Sequence, residues 1–178
     1  MKTQAIPQKD HILKTVNAPA EKRTARDAYI TALSNRCGLF VFALLTGFFL
    51  IMKAFGLHEI LAFRYFNVIF LAGGILLAFL LYRKKYNYKG IRYLTGIKMG
   101  IHVTLLGALL FSLFMGIYLV VDTSFMEYIT EHGEFGKFLT PARAAGGVFI
   151  EGFASGAIIT FILMQLFKDE EFNPNYEK

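Results

Sequence analysis

Four apolar runs separated by charged segments organise the chain: Cys37–Met52, Tyr65–Tyr82, Met99–Val121 and Ala144–Phe167, with Glu151 the single full charge inside them. A helix needs about 20 apolar residues to cross a hydrocarbon core of about 30 Å, so each run predicts one crossing. None of the runs keeps a polar stripe that would face water, as a soluble amphipathic helix does. The expected fold class is therefore all-α: a polytopic membrane protein with four transmembrane helices in an antiparallel bundle, spanning 37–57, 65–82, 99–121 and 144–167.

The segments between the runs predict the rest of the architecture. Residues 1–36 form a polar N-terminal arm. Its first 18 residues are polar with no sustained period and are expected to be disordered or loosely attached. A short amphipathic helix is expected from about Ala20 to Arg36, with Ala28, Tyr29, Ala32 and Leu33 on one side. A solvated helical extension of the first crossing is the competing reading of that stretch. Gly73–Gly74 marks a close helix approach or a kink in the second crossing. The segment 83–98 reads as a basic loop punctuated by Gly90 and Gly96. In the segment after Val121, Thr123 or Ser124 would cap a short helix through Glu131, ended by Gly133. Pro141 would open the fourth helix, and residues 168–178 form a charged tail, expected to be disordered.

Charge then orients the chain. The arm, the segment 83–98 and the tail together hold fifteen Lys and Arg residues, whereas the two remaining connections hold four. The positive-inside rule places both termini in the cytoplasm, with the N-terminal run retained as a signal-anchor rather than cleaved. The net charge of +6 accordingly points to anionic lipid headgroups, and no basic recognition helix or stacking platform argues for nucleic acid. Among the nine tyrosines, Tyr65, Tyr82, Tyr86, Tyr88, Tyr93 and Tyr118 fall where an aromatic belt would sit. The single cysteine, Cys37, reads as a small membrane residue.

Candidate chemistry is sparse. Gly100, Thr104, Ala108, Ser112 and Gly116 recur every four residues in the third run, and Gly152, Gly156 and Thr160 do so in the fourth. Small residues at this spacing let backbones approach closely: either the two ladders pack the third and fourth crossings against each other within one chain, or one ladder is a surface for a homo-oligomer or a partner helix. Glu151 is the sharpest residue, because an intramembrane carboxyl costs about 2.5–3.5 kcal/mol on insertion scales or stays protonated. Counting from Ala144 puts it roughly 10 Å deep, within reach of Ser112 or Lys53, so a hydrogen bond or an ion pair would satisfy it. His102 lies too far along the membrane normal to form a relay with Glu151 and is expected to bond to a neighbouring helix or headgroup. His58 with Glu59, and Glu131 with His132 and Glu134, lack the spacing of a metal site. With no nucleophile, phosphate-loop or dinucleotide motif, the expectation is no enzyme activity, no cofactor and no metal.

The four crossings, the glycine-rich third and fourth runs and the stretch VDTSFMEYI resemble the small four-helix membrane proteins of Bacteroidota grouped under a domain of unknown function, DUF4199. The similarity covers about 37–167 and implies a bacterial inner-membrane protein, without transferring a site. The resulting expectation is a non-enzymatic subunit or interaction module packing through small-residue helix faces, as a homo-oligomer or with another membrane protein. The alternative is an oligomeric transporter or channel with Glu151 handling protons or cations.

Overall fold

The computed structural model describes residues 8–56, 65–86, 91–132 and 139–167. Among them are five helices: α1 (Gln8–Ala54), α2 (Tyr65–Tyr86), α3 (Tyr93–Val121), α4 (Thr123–His132) and α5 (Pro141–Phe167). All but α4 are long and apolar enough to cross a membrane. The sequence reading of a multi-pass helical membrane protein rests on these four helices.

The boundaries differ from expectation at the polar ends. Helix α1 is one uninterrupted helix of 47 residues. At ~1.5 Å per residue it extends about 70 Å, more than twice a hydrocarbon core. Of the two readings of Ala20–Arg36, the helical extension of the first crossing is the one found, and the helix already runs from Gln8, in place of the expected disorder or loose attachment. Pro19 lies inside it and removes one backbone donor without ending it. At the other end α1 stops at Ala54, short of the expected Leu57, and Gly56 adopts a left-handed φ of 70° with its N–H bonded to the Lys53 carbonyl. The basic segment 83–98 is shorter as a loop than expected. Helix α2 continues to Tyr86 and α3 begins at Tyr93, which leaves Gly96 buried in a helix rather than punctuating a turn.

Helix α3 is the centre of the bundle and packs against α1, α2 and α5. The pairs Asn35–His102, Gly38–Leu106 and Phe49–Phe114 show residue numbers rising together along α1 and α3. Those of α1 and α2 run in opposite senses, through Tyr29–Tyr86 and Phe48–Phe66. Val41 sits at the crossing of three helices, against Gly74 of α2 and Gly107 of α3. A Cβ on Gly74 would collide with Val41, whereas one on Gly73 would meet open space. Close approach, rather than a kink, is the reason for that glycine.

The core holds Val41, Ile75, Phe79, Met99, Val103 and Met164, all fully buried. The outward faces are equally apolar, with Leu39, Ile69, Leu113, Ile117, Ile150 and Ile158 exposed. Lipid tails are as apolar as these side chains, so helix association in a membrane relies on shape and van der Waals contact. On α1 the buried stripe runs through Leu33, Ser34, Cys37, Val41 and Leu45. Ala28 and Ala32 are exposed, contrary to the expected apolar side. Tyr82 is also buried, packed against the tilted ring of Tyr86 instead of forming part of a lipid-facing belt.

Candidate functional site

The two small-residue ladders meet each other. Gly100 lies against Thr160, Thr104 against Gly156, and Ala108 against Gly152, so each step of four along α3 is matched by a step of four back along α5. Gly96 against Met164 continues the row at one end, and Gly116 against Ala145 at the other. A Cβ on Gly100, Gly156 or Gly96 would strike the opposing side chain, which is why these positions are glycine. The contact is one of shape more than of hydrogen bonding. Thr160 bonds back to the Gly156 carbonyl at 2.7 Å, and the buried Thr104 hydroxyl has no hydrogen-bond partner. From Gly100 to Ala108 on α3 and from Gly152 to Thr160 on α5 the ladders are therefore spent inside the chain, and those stretches are closed to a partner helix.

That packing fixes where Glu151 points. Its neighbour Gly152 faces α3, while Glu151 itself is exposed on the outward side of α5 with Gly147, Ile150, Ala154 and Ile158. These five share one helix face by their spacing of three and four residues. Because α5 starts at Pro141, Glu151 stands ten residues in, about 15 Å along the axis and near the middle of the span. It is thus deeper than the sequence count suggested. Its expected partners are engaged elsewhere: the Ser112 hydroxyl donates to the Leu109 carbonyl at 2.9 Å, and Lys53 is held by two other groups. By the same register His102 stands level with Ile158, two turns of α5 from Glu151. It bonds across to Asn35 of α1 at 2.7 Å, as a histidine tied to a neighbouring helix.

Lys53 belongs to a cluster that the sequence did not reveal. Its ammonium donates to the Tyr118 hydroxyl, forms an ion pair with Asp122, and lies 4.5 Å from the centre of the Tyr118 ring. Tyr118 in turn donates to the Asp122 carboxylate at 2.7 Å. The other carboxylate oxygen accepts the Phe125 N–H at 3.2 Å, so Asp122, rather than Thr123 or Ser124, caps α4. Lys53, Tyr118 and the Phe125 amide together hold the Asp122 carboxyl well below the usual carboxylate range. Phe49 and Phe125 pack around Tyr118 and close the apolar side of the cluster. The available signal was the spacing of Tyr118 and Asp122, one helical turn apart at the end of an apolar run.

Thr140 caps α5 through its hydroxyl to the Arg143 N–H at 3.3 Å, and Pro141 takes the first helical position as expected. Above the ladder, α3 and α5 leave an open apolar groove of about 550 Å³, lined by Ser112, Gly116, Ala142, Ala145, Gly146 and Phe149 among others. Among the described residues no group of three His, Cys, Asp or Glu side chains is placed to hold a metal. His58, Glu59 and Glu134, and the expected helix stop at Gly133, lie outside the described residues, as does the tail 168–178. No family model matches the chain, and no curated protein or solved structure is similar enough to count as a match.

Proposed function

We propose that the chain is an integral membrane protein, an antiparallel four-helix bundle with both termini cytoplasmic, that acts as a non-enzymatic association module through the outward face of α5. One observation carries this reading. Glu151 lies mid-span on the exposed side of the least buried of the four spans. Glu151 puts a carboxyl on an otherwise apolar helix face, a group able to bond across a helix–helix interface. Gly147 and Ala154 flank the carboxyl and leave room for a second backbone to approach. A two-fold contact with the same face of a second copy brings the two Glu151 side chains within reach of each other near the symmetry axis.

The ladder faces do not serve this purpose, since α3 and α5 occupy each other's. The charge asymmetry supports cytoplasmic termini, and the resemblance to DUF4199-type proteins is what implies the bacterial inner membrane. A second reading, proton or cation handling by an oligomer, uses the same residue at the same interface. Native mass spectrometry from mild detergent separates the two. Association predicts dimers for the wild type and for Glu151→Gln, which still hydrogen bonds, and monomers for Glu151→Leu. Equal monomer content in all three proteins contradicts it. Proton or cation handling predicts ion-dependent flux in proteoliposomes that Glu151→Gln abolishes with the dimer intact.

A further inference from the structure

The two ends of the bundle hold their cations on aromatic rings in different ways. At one end Lys53 rests on Tyr118 and also has the Asp122 carboxylate. At the other, Lys85 lies 3.8 Å from the centre of the Tyr29 ring, and no carboxylate contacts its ammonium among the described residues. The ring binds the cation through its quadrupole without cancelling the charge. Tyr29 meets Tyr86 edge-on at 5.8 Å, and Tyr86 packs on Tyr82 at 5.0 Å, so the ring under Lys85 is backed by two further aromatic rings.

More positive charge converges on the same place. Arg83, Lys84 and Lys85 form the last turn of α2. Arg83 lies 5.3 Å from the centre of the Phe167 ring, and the Phe167 carbonyl accepts the Ile91 N–H at 2.7 Å. Phe167 thereby joins the ends of α2 and α5 to the start of α3, bringing Arg92 next to Arg83's platform. Lys84 and Lys98 are exposed there, and the sequence from Arg83 to Lys98 contains no Asp or Glu. Asp27, two residues before Tyr29, is the nearest acid along α1.

From this geometry we infer that the end of α2, around Lys84 and Lys85 on the Tyr29 platform, is a seat for the headgroup of an anionic phospholipid. The charge is complementary, the cations stand at the polar limit of an apolar span, and a phosphate diester supplies acceptors for the Lys84 and Lys85 ammonium groups, which no carboxylate among the described residues contacts. The seat rests on the reading of α2 as membrane-spanning. It is independent of the α5 association face, and the two readings are measured separately.

The test is lipid binding by the purified full-length chain, measured by native mass spectrometry with phosphatidylglycerol or phosphatidylcholine added to delipidated protein. Preferential retention of phosphatidylglycerol is expected, weakening as salt is raised. Each removed cation should cost about five-fold in retention, the equivalent of about 1 kcal/mol, so Lys84→Gln and Lys85→Gln each lower it by that factor. Arg143→Gln, which removes a cation from the opposite end, should leave it unchanged. Equal retention of the two lipids, or a salt-independent preference, overturns the proposal. So does displacement of the lipid by millimolar inorganic phosphate, which would make the site one for a soluble anion.

Discussion

Lys53, one residue before the end of α1, is ion-paired with Asp122, the single residue between α3 and α4. One contact thus ties the first span, the third span and the surface helix. Because Asp122 also caps α4, Asp122→Asn should loosen α4 more than it loosens the spans. Hydrogen exchange of the α4 amides reads this directly, with faster exchange expected in α4 and little change in the middle of α3. Uniform acceleration across all helices would show that the pair holds the whole bundle instead.

The same pair has a defined pH dependence. The folded-state pKa of Asp122 is lowered relative to the unfolded chain, where an aspartate titrates near about 3.9. Its contribution is therefore complete above that value and is lost as pH falls through the lower folded value. Docking of α4 should be unchanged from pH 8 to pH 5 and should weaken only in stronger acid. Release of α4 between pH 7 and pH 5 would contradict the ion pair.

Adjacent glycines in α2 should respond oppositely to a methyl group. Gly74→Ala drives a Cβ into the fully buried Val41, an overpacking that costs about 1–3 kcal/mol. Gly73→Ala meets no atom and should be neutral or stabilising by up to about 1 kcal/mol through helix propensity. Gly156→Leu should resemble Gly74→Ala, since it strikes Thr104. Thermal unfolding in detergent, followed by circular dichroism, ranks the three variants.

The hydrogen bond between His102 and Asn35 joins α3 to α1. A double-mutant cycle with His102→Leu and Asn35→Leu should give a coupling of about 0.6 kcal/mol, the usual size of a polar contact between membrane helices. Additive effects would remove that bond from the account.

Much of this fold was legible because the hydrocarbon core imposes one length and one polarity on every span. The four-residue spacing of Gly100, Thr104 and Ala108 announced a close helix contact, and the matching spacing of Gly152, Gly156 and Thr160 supplied the other half. What the spacing did not decide is whether the two halves face each other within one chain, as one of its two readings has it, or whether one of them faces a partner. That depends on register, which no local pattern encodes. The same limit misplaced Glu151. Depth along a helix can be counted from sequence, but the direction of a side chain cannot be read when every face of the helix is apolar. The Lys53–Tyr118–Asp122 cluster escaped notice because its members come from segments about 65 positions apart. The length of α1 was missed because a polar helix leaves no apolar period to detect.

The central claim is that the outward face of α5 meets its counterpart in a second copy. In a Cys37→Ala background, single cysteines at Gly147, Ala154 and Gly152 can be oxidised in native membranes and scored for crosslinked dimers. Gly147 and Ala154 share the face of Glu151, whereas Gly152 is packed against Ala108. The account predicts dimers from the cysteines at 147 and 154, none from 152, and loss of the dimers when Glu151→Leu is added. Absence of crosslinking at both outward positions, or crosslinking at 152 as strong as at 147 and 154, would contradict it.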